Sequence, residues 1–237
     1  MTSLRARSRR LFWIVRAGAP LDALDRTRRA LLLVRIRASA AWHRSTVDVD
    51  LASDVHIGRD VRVWVTPRTA NVLHVGAGSR LGDRVLIQLK GGQVRIGPGC
   101  DLRRDTVLNV AGRLDLEGRN ILSWGCAIHC AESVVLEPMA SAAEHVSIAD
   151  STHYFTEPNR FFYDNIRSAP VRIGTNTWLC PKSTVTSGTS IGSHCIIASN
   201  SVVTGDVPDG SLASGVPVAD IRPLRLPWRP AAGAPGR

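Results

Sequence analysis

Residues 149–170 read ADSTHYFTEPNRFFYDNIRSAP and hold the side chains whose types and spacing best suit proton transfer. His153 is the central group. A neutral imidazole titrates close to neutral pH and takes a proton from any hydroxyl or amine within hydrogen-bond reach. Asp150, three residues earlier, is placed to hold that ring in one tautomer, a task a backbone carbonyl would perform equally well. Tyr154 and Phe155 follow directly, and with Phe161, Phe162 and Tyr163 they make the segment too apolar to hang free in water. It is expected to pack on a neighbouring part of the fold or on another subunit. His129 is the second candidate, as a group lining the same site or as an alternative base. The run Cys126-x-x-His129-Cys130 invites a zinc reading, but no second ligand pair follows at zinc-site spacing, so no metal is expected.

The frame that must position these groups has an unusual period. Every sixth residue from Ile173 is aliphatic: Leu179, Val185, Ile191, Ile197 and Val203 follow. A helix repeats at three and four residues and a strand at two, so a spacing of six belongs to neither. It fits a solenoid whose flat faces take about six residues before the chain turns, the hexapeptide signature of a parallel β-helix. Two residues before each aliphatic stands a small or β-branched one: Val171, Thr177, Ser183, Thr189, Cys195 and Ser201. The pattern recurs upstream at Ile57 and Val63, at Val75, Leu81 and Ile87, at Ile96, Leu102, Leu108 and Leu114, and at Leu122, Ile128 and Val134. Ser79, Cys100, Thr106, Gly112 and Cys126 take the small inner position there. Gly58, Gly76, Gly82, Gly174 and Gly192 follow aliphatics, where a corner calls for a residue without Cβ. Slips of phase, as from Ile87 to Ile96, imply small corner insertions. The register stops after Ile148 and resumes at Val171, so residues 149–170 are an excursion from a rigid frame, where function concentrates. His56 and His74 each precede an inner aliphatic and should face solvent; His145 reads as a structural loop residue and His194 as a corner.

The net charge of +10 is confined to one end. Residues 1–45 carry eleven arginines and two aspartates, which leaves the remainder nearly neutral and argues against a nucleic-acid surface along the solenoid. Residues 21–41 lack proline and glycine and should form a helix, expected to cover the open end of the solenoid. Its arginine-rich flanks leave peripheral membrane contact open as a second role. The apolar run Leu11–Val15 is too short to span a bilayer and shows no clear signal-peptide cleavage site. Five cysteines without a disulfide spacing suit a reducing, cytoplasmic setting. The domain assignment is a basic helical arm over 1–45, a β-helix over 46–222 with the insert 149–170, and a disordered Pro/Ala/Gly tail over 223–237.

The hexapeptide coils, the loop Asp150-Ser151-Thr152-His153-Tyr154, and the closing Ala198-Ser199-Asn200-Ser201-Val202-Val203-Thr204-x-Asp206-Val207-Pro208 and Ser214-Gly215-Val216-Pro217-Val218 resemble the hexapeptide-repeat acyltransferases. The nearest likeness is to the maltose/galactoside and sugar O-acetyltransferase branch, over about residues 55–225. The resemblance implies an all-β solenoid of the left-handed parallel β-helix type, a rare exception to right-handed crossovers. It implies homotrimers that bind acyl-coenzyme A, acetyl-coenzyme A foremost, as a donor substrate in grooves between adjacent prisms, and no permanently bound cofactor. The family's general base falls on His153, with Asp150 beside it. The coenzyme should run along the late coils past Trp178, Lys182, Ser199, Asn200 and Arg222, with Lys182 or Arg222 meeting its phosphates. His129, Tyr154 and Phe155 would face the acceptor, a hydroxyl of a sugar or glycan precursor. Ala198-Ser199-Asn200 departs from the family's usual corner glycine before the closing Ser-Val-Val. Two rival readings accompany this one. One is a non-catalytic trimeric scaffold sealed by the loop. The other is a carbonic-anhydrase-like zinc enzyme, for which His129, His145 and His153 lack the expected His-x4-His pairing.

Overall fold

The computed structural model describes residues 23–157 and 165–225. The run Leu11–Val15, the aromatics Phe161, Phe162 and Tyr163, and the tail beyond residue 225 lie outside the described residues. Helix α1 (Ala23–Trp42) comes first, and parallel strands then wind into a three-faced solenoid. Face 1 runs from strand Thr46–Leu51 to strand Ser190–Ile191, and face 3 from Arg62–Val65 to Val202–Val203, seven strands each. Face 2 starts at His56–Ile57 and ends in Ser211–Gly215 and the antiparallel strand Val218–Pro223. The β-helix is as expected, and it begins at Thr46, before the first legible aliphatic pair.

Register explains the slips of phase. Down face 2, Ile57 pairs with Leu81, Leu81 with Leu102, Leu102 with Leu122 and Leu122 with Ala142. Beyond the insert Leu179 pairs with Ile197, and Ile197 with Ala213. The coils therefore tighten along the chain, and the strict period of six belongs to the 18-residue coils after the insert, such as Leu179 to Ile197. The aliphatics at 173, 179, 185, 191, 197 and 203 are all fully buried, and so are their small partners. Inner hydroxyls are satisfied at the corners: Thr177 Oγ1 donates to Gly192 O at 2.7 Å and accepts from Cys195 N at 3.1 Å. Asn120 takes an inner position too, with its amide bonded to Gly118 N, Glu137 O and Ala140 O.

Two corner expectations need correction. Gly112 is no inner residue; it turns the edge between faces 3 and 1, and a Cβ there would lie 2.2 Å from Glu132 O. The glycines after the aliphatics do not supply the turn either. A Cβ on Gly174 would come within 2.5 Å of the backbone at Gly192, so close approach of the next coil demands glycine. The left-handed conformation falls two residues later on side-chain-bearing residues, such as Asp60, Arg84, Asn176 and His194, with φ between 54° and 58°. Asn, Asp and His tolerate that region best, and arginine does so here because coil stacking fixes it.

Helix α1 closes the open end of the prism, as expected. Leu32 and Ile36 join the same core as Leu51, Val55 and Ile57, while Arg29 donates to Leu51 O. His56 and His74 do face outward, but each is paired: His56 Nδ1 lies 2.8 Å from Asp25 and His74 Nε2 3.0 Å from Asp48.

Candidate active site

The insert leaves the prism at the edge between faces 3 and 1 as a two-stranded hairpin. Strand Ser151–His153 pairs antiparallel with Ile166–Ser168, and His153 stands opposite Ile166. Polar groups clamp the hairpin root. Asp150 is fully buried, and its carboxylate accepts backbone N–H groups from Ala131, Glu132 and Ser133 at 2.7, 2.7 and 2.8 Å. Its carbonyl accepts from Ala169 N and from Ser187 Oγ in the coil above. Ser168 Oγ on the return strand donates to Glu132 Oε2 at 2.8 Å. Asp150 thus differs from the expected role: both its oxygens serve the corner amides, and it positions His153 through the backbone. A buried carboxylate with three N–H donors belongs to the strongly held kind. Beside it, burial first and then the Asp150 carboxylate push the Cys130 thiol up to about 12.

His153 itself is exposed. Around it the hairpin presents Tyr154, Phe155 and Ile166 to the outside, and the Arg167 guanidinium sits 5.2 Å from the centre of the Tyr154 ring. His129 lies on the outer side of face 3, in register with Ala149, so it stands one coil below the start of the hairpin. Asn109 Nδ2 approaches its Nδ1 at 3.3 Å from the coil below that. The structure therefore brings His129 and His153 to neighbouring coils at one side of the prism.

The expected coenzyme residues gather elsewhere. Trp178, Ile196, Leu212 and Arg222 form one row across face 2, with Trp178 and Arg222 at its ends, roughly 14 Å apart at the usual strand spacing. Lys182, Ser199 and Asn200 turn the edge between faces 2 and 3, where Asn200 N donates to Pro181 O and Lys182 N to Glu144 O. All five face solvent wholly or in part. His145 belongs to this edge as well; its N–H bonds Trp124 O and its φ is 58°. Its place on the edge below Lys182 was not legible, because only the register of the structure sets it there. Within one chain, face 3 separates the hairpin edge from the edge that carries Lys182, Ser199 and Asn200. Among the described residues no three His, Cys, Asp or Glu side chains cluster as a metal site.

Known proteins agree with the fold and the repeat. The bacterial transferase hexapeptide model, of six repeats, matches residues 170–205. A probable acetyltransferase of Mycobacterium tuberculosis is 32% identical over 75% of this chain, and the match spans 53% of that protein, about half its length. The Escherichia coli protein WbbJ, named as a candidate lipopolysaccharide biosynthesis O-acetyl transferase, is 31% identical over 52% of this chain and 75% of its own. Among solved structures, the polysialic acid O-acetyltransferase OatWY superposes with a TM-score of 0.51 at 14% identity, covering 78% of this chain and 88% of its own, a likeness of fold alone. Repeat, winding and relatives together place this left-handed β-helix chain in the hexapeptide-repeat acyltransferase family.

Proposed function

We propose that the protein is an acyl-coenzyme-A-dependent O-acyltransferase, working as a cytoplasmic homotrimer on a hydroxyl of a sugar or glycan precursor, with acetyl-coenzyme A as donor. The observation that carries this reading is the placement of His153. It is lifted off a rigid prism on a hairpin whose root is clamped by Asp150. A thioester is already activated, so the reaction needs only a base and an oxyanion donor. His153 takes the proton of the acceptor hydroxyl as its oxygen bonds to the thioester carbonyl carbon. The tetrahedral intermediate then expels the thiolate, the carbon–sulfur bond breaks, and the imidazolium returns the proton to sulfur. The products are an ester and free coenzyme A. The oxyanion would need a donor, for which a backbone N–H of a coil corner would serve.

The row from Trp178 to Arg222 suits the donor: indole and aliphatic side chains for the pantetheine arm, and a guanidinium at its end for phosphate. Because this row lies on face 2 and the hairpin leaves the edge between faces 3 and 1, a complete site takes its base from one prism and its coenzyme surface from the next. Release of free thiol from acetyl-coenzyme A, screened against sugar acceptors, tests the reading. His153→Ala should lower kcat by about 10²–10⁴-fold with KM for the coenzyme little changed. Turnover unaffected by that substitution overturns His153 as base, and absence of turnover with every acyl donor and acceptor favours the scaffold.

A further inference from the structure

Helix α1 carries two apolar stripes, and the solenoid uses one. Leu32, Ile36 and Ala40 sit buried on the first coil. Leu24, Leu31 and Val34 point the other way, 54%, 50% and 62% exposed, and Trp42 at the last turn is 85% exposed. Exposed Ala38 and Ala41 continue the row, whose steps of three, four and seven define one face of a helix. Exposed Arg35 and Arg37 flank it, and exposed Arg44 follows. The helix holds five arginines and one aspartate, Asp25, which is buried and engaged by His56. Its outer face is therefore apolar along the middle and cationic at the margins, with no acidic side chain exposed.

A second copy of this helix fits poorly, because two such faces would set arginines against arginines. A nucleic acid would satisfy the guanidinium groups and leave leucine, valine and tryptophan without an apolar partner. An anionic bilayer surface meets both needs. Headgroup charge pairs with arginine while Leu31, Val34 and Trp42 enter the boundary of the acyl layer. We propose that the outer face of α1 docks the protein on an anionic membrane surface. The helix lies on that surface; no described helix is long and apolar enough to cross a membrane. This inference stands apart from acyl transfer, since binding is read without turnover.

Co-sedimentation of the full-length protein with vesicles tests it. Mixed phosphatidylcholine–phosphatidylglycerol vesicles should bind the protein, pure phosphatidylcholine vesicles should not, and added salt should weaken binding. Arg35→Gln with Arg37→Gln should lower the partition coefficient about 25-fold, at roughly fivefold per basic residue near the surface. Leu31→Ser with Val34→Ser should also lower it; both pairs sit at exposed positions, and circular dichroism confirms that each variant keeps its fold. Equal binding to neutral vesicles, no binding at all, or binding unmoved by both double variants overturns the proposal. So does a change of oligomeric state on Leu31→Ser with Val34→Ser, which would identify a second copy as the occupant, or displacement of the vesicles by duplex DNA.

Discussion

At the scale of single residues, the hairpin that carries His153 depends on one buried carboxylate at its root. Asp150 gathers three amide N–H groups from the corner 131–133 and ties two coils to the hairpin root. Asp150→Ala leaves those donors buried without an acceptor, at about 1–3 kcal/mol for an unsatisfied group. The expected loss is about 3 kcal/mol or more of unfolding free energy, measured from denaturant midpoints. Asp150→Asn should lose less, since one amide oxygen still accepts. An alanine variant as stable as the original would show that the clamp contributes nothing. The sequence drew attention to His153 because it lies inside a break of register, and the structure sets it, exposed, on the hairpin strand Ser151–His153. The sequence left Asp150 misread, because a carboxylate that binds backbone amides carries no mark of its partners in the chain. Trp178 and Arg222 share a row only through the strand order of face 2, which no local pattern encodes.

At the scale of elements, the inner register was readable because the prism interior admits one large and one small side chain per face, whatever the outer residues are. Ile173 to Val203 shows this plainly, with every aliphatic buried. The corners were readable only in part. Gly112 looked like another small inner residue, yet it is glycine because the next coil passes its edge at contact distance. Gly112→Ala should therefore cost about 1–3 kcal/mol, the range of overpacking with backbone shifts. Gly205→Ala is the control, for a Cβ there meets nothing within 4 Å. Thermal melts of the two variants give the comparison, and equal melting temperatures would refute the close-approach account. Helix α1 was legible as a helix from composition and as a cap from the need to cover a terminal coil. Its buried partners Leu51 and Val55 could be named only from the structure.

At the scale of the whole molecule, charge sets the acid limit, and the proposed assembly sets a test of the proposed activity. The Arg59 amide and guanidinium hold Asp83 below its ordinary value of 3.8, and the Arg84 guanidinium does the same for Asp105. At Glu137 burial pulls upward, but the hydroxyl and amide of Thr175 and the Arg172 guanidinium outweigh it and leave the group below 4.5; the Ser123 hydroxyl lowers Glu144. Carboxylates lowered by folding stabilise it above their unfolded values, and that contribution disappears as pH falls through the folded ones. Melting temperature should hold level down to about pH 4.5 and then drop, modestly, because solvent reaches Asp83, Asp105 and Glu137 and screens their pairs. Assembly gives the sharper test. If each site joins the hairpin of one prism to the face-2 row of the next, two inactive variants can complement. His153→Ala lacks the base but keeps the coenzyme surface, and Trp178→Ala with Lys182→Ala has the reverse defect. Unfolded together and refolded at equal amounts, they should recover about one quarter of the original turnover, since each site draws its two halves independently from a random mixture in a closed cyclic oligomer. Recovery near zero, with mixed oligomers verified by mass, would mean that base and coenzyme meet within a single chain. The hairpin and the face-2 row would then have to meet from opposite sides of one prism, against the separation that strand order imposes.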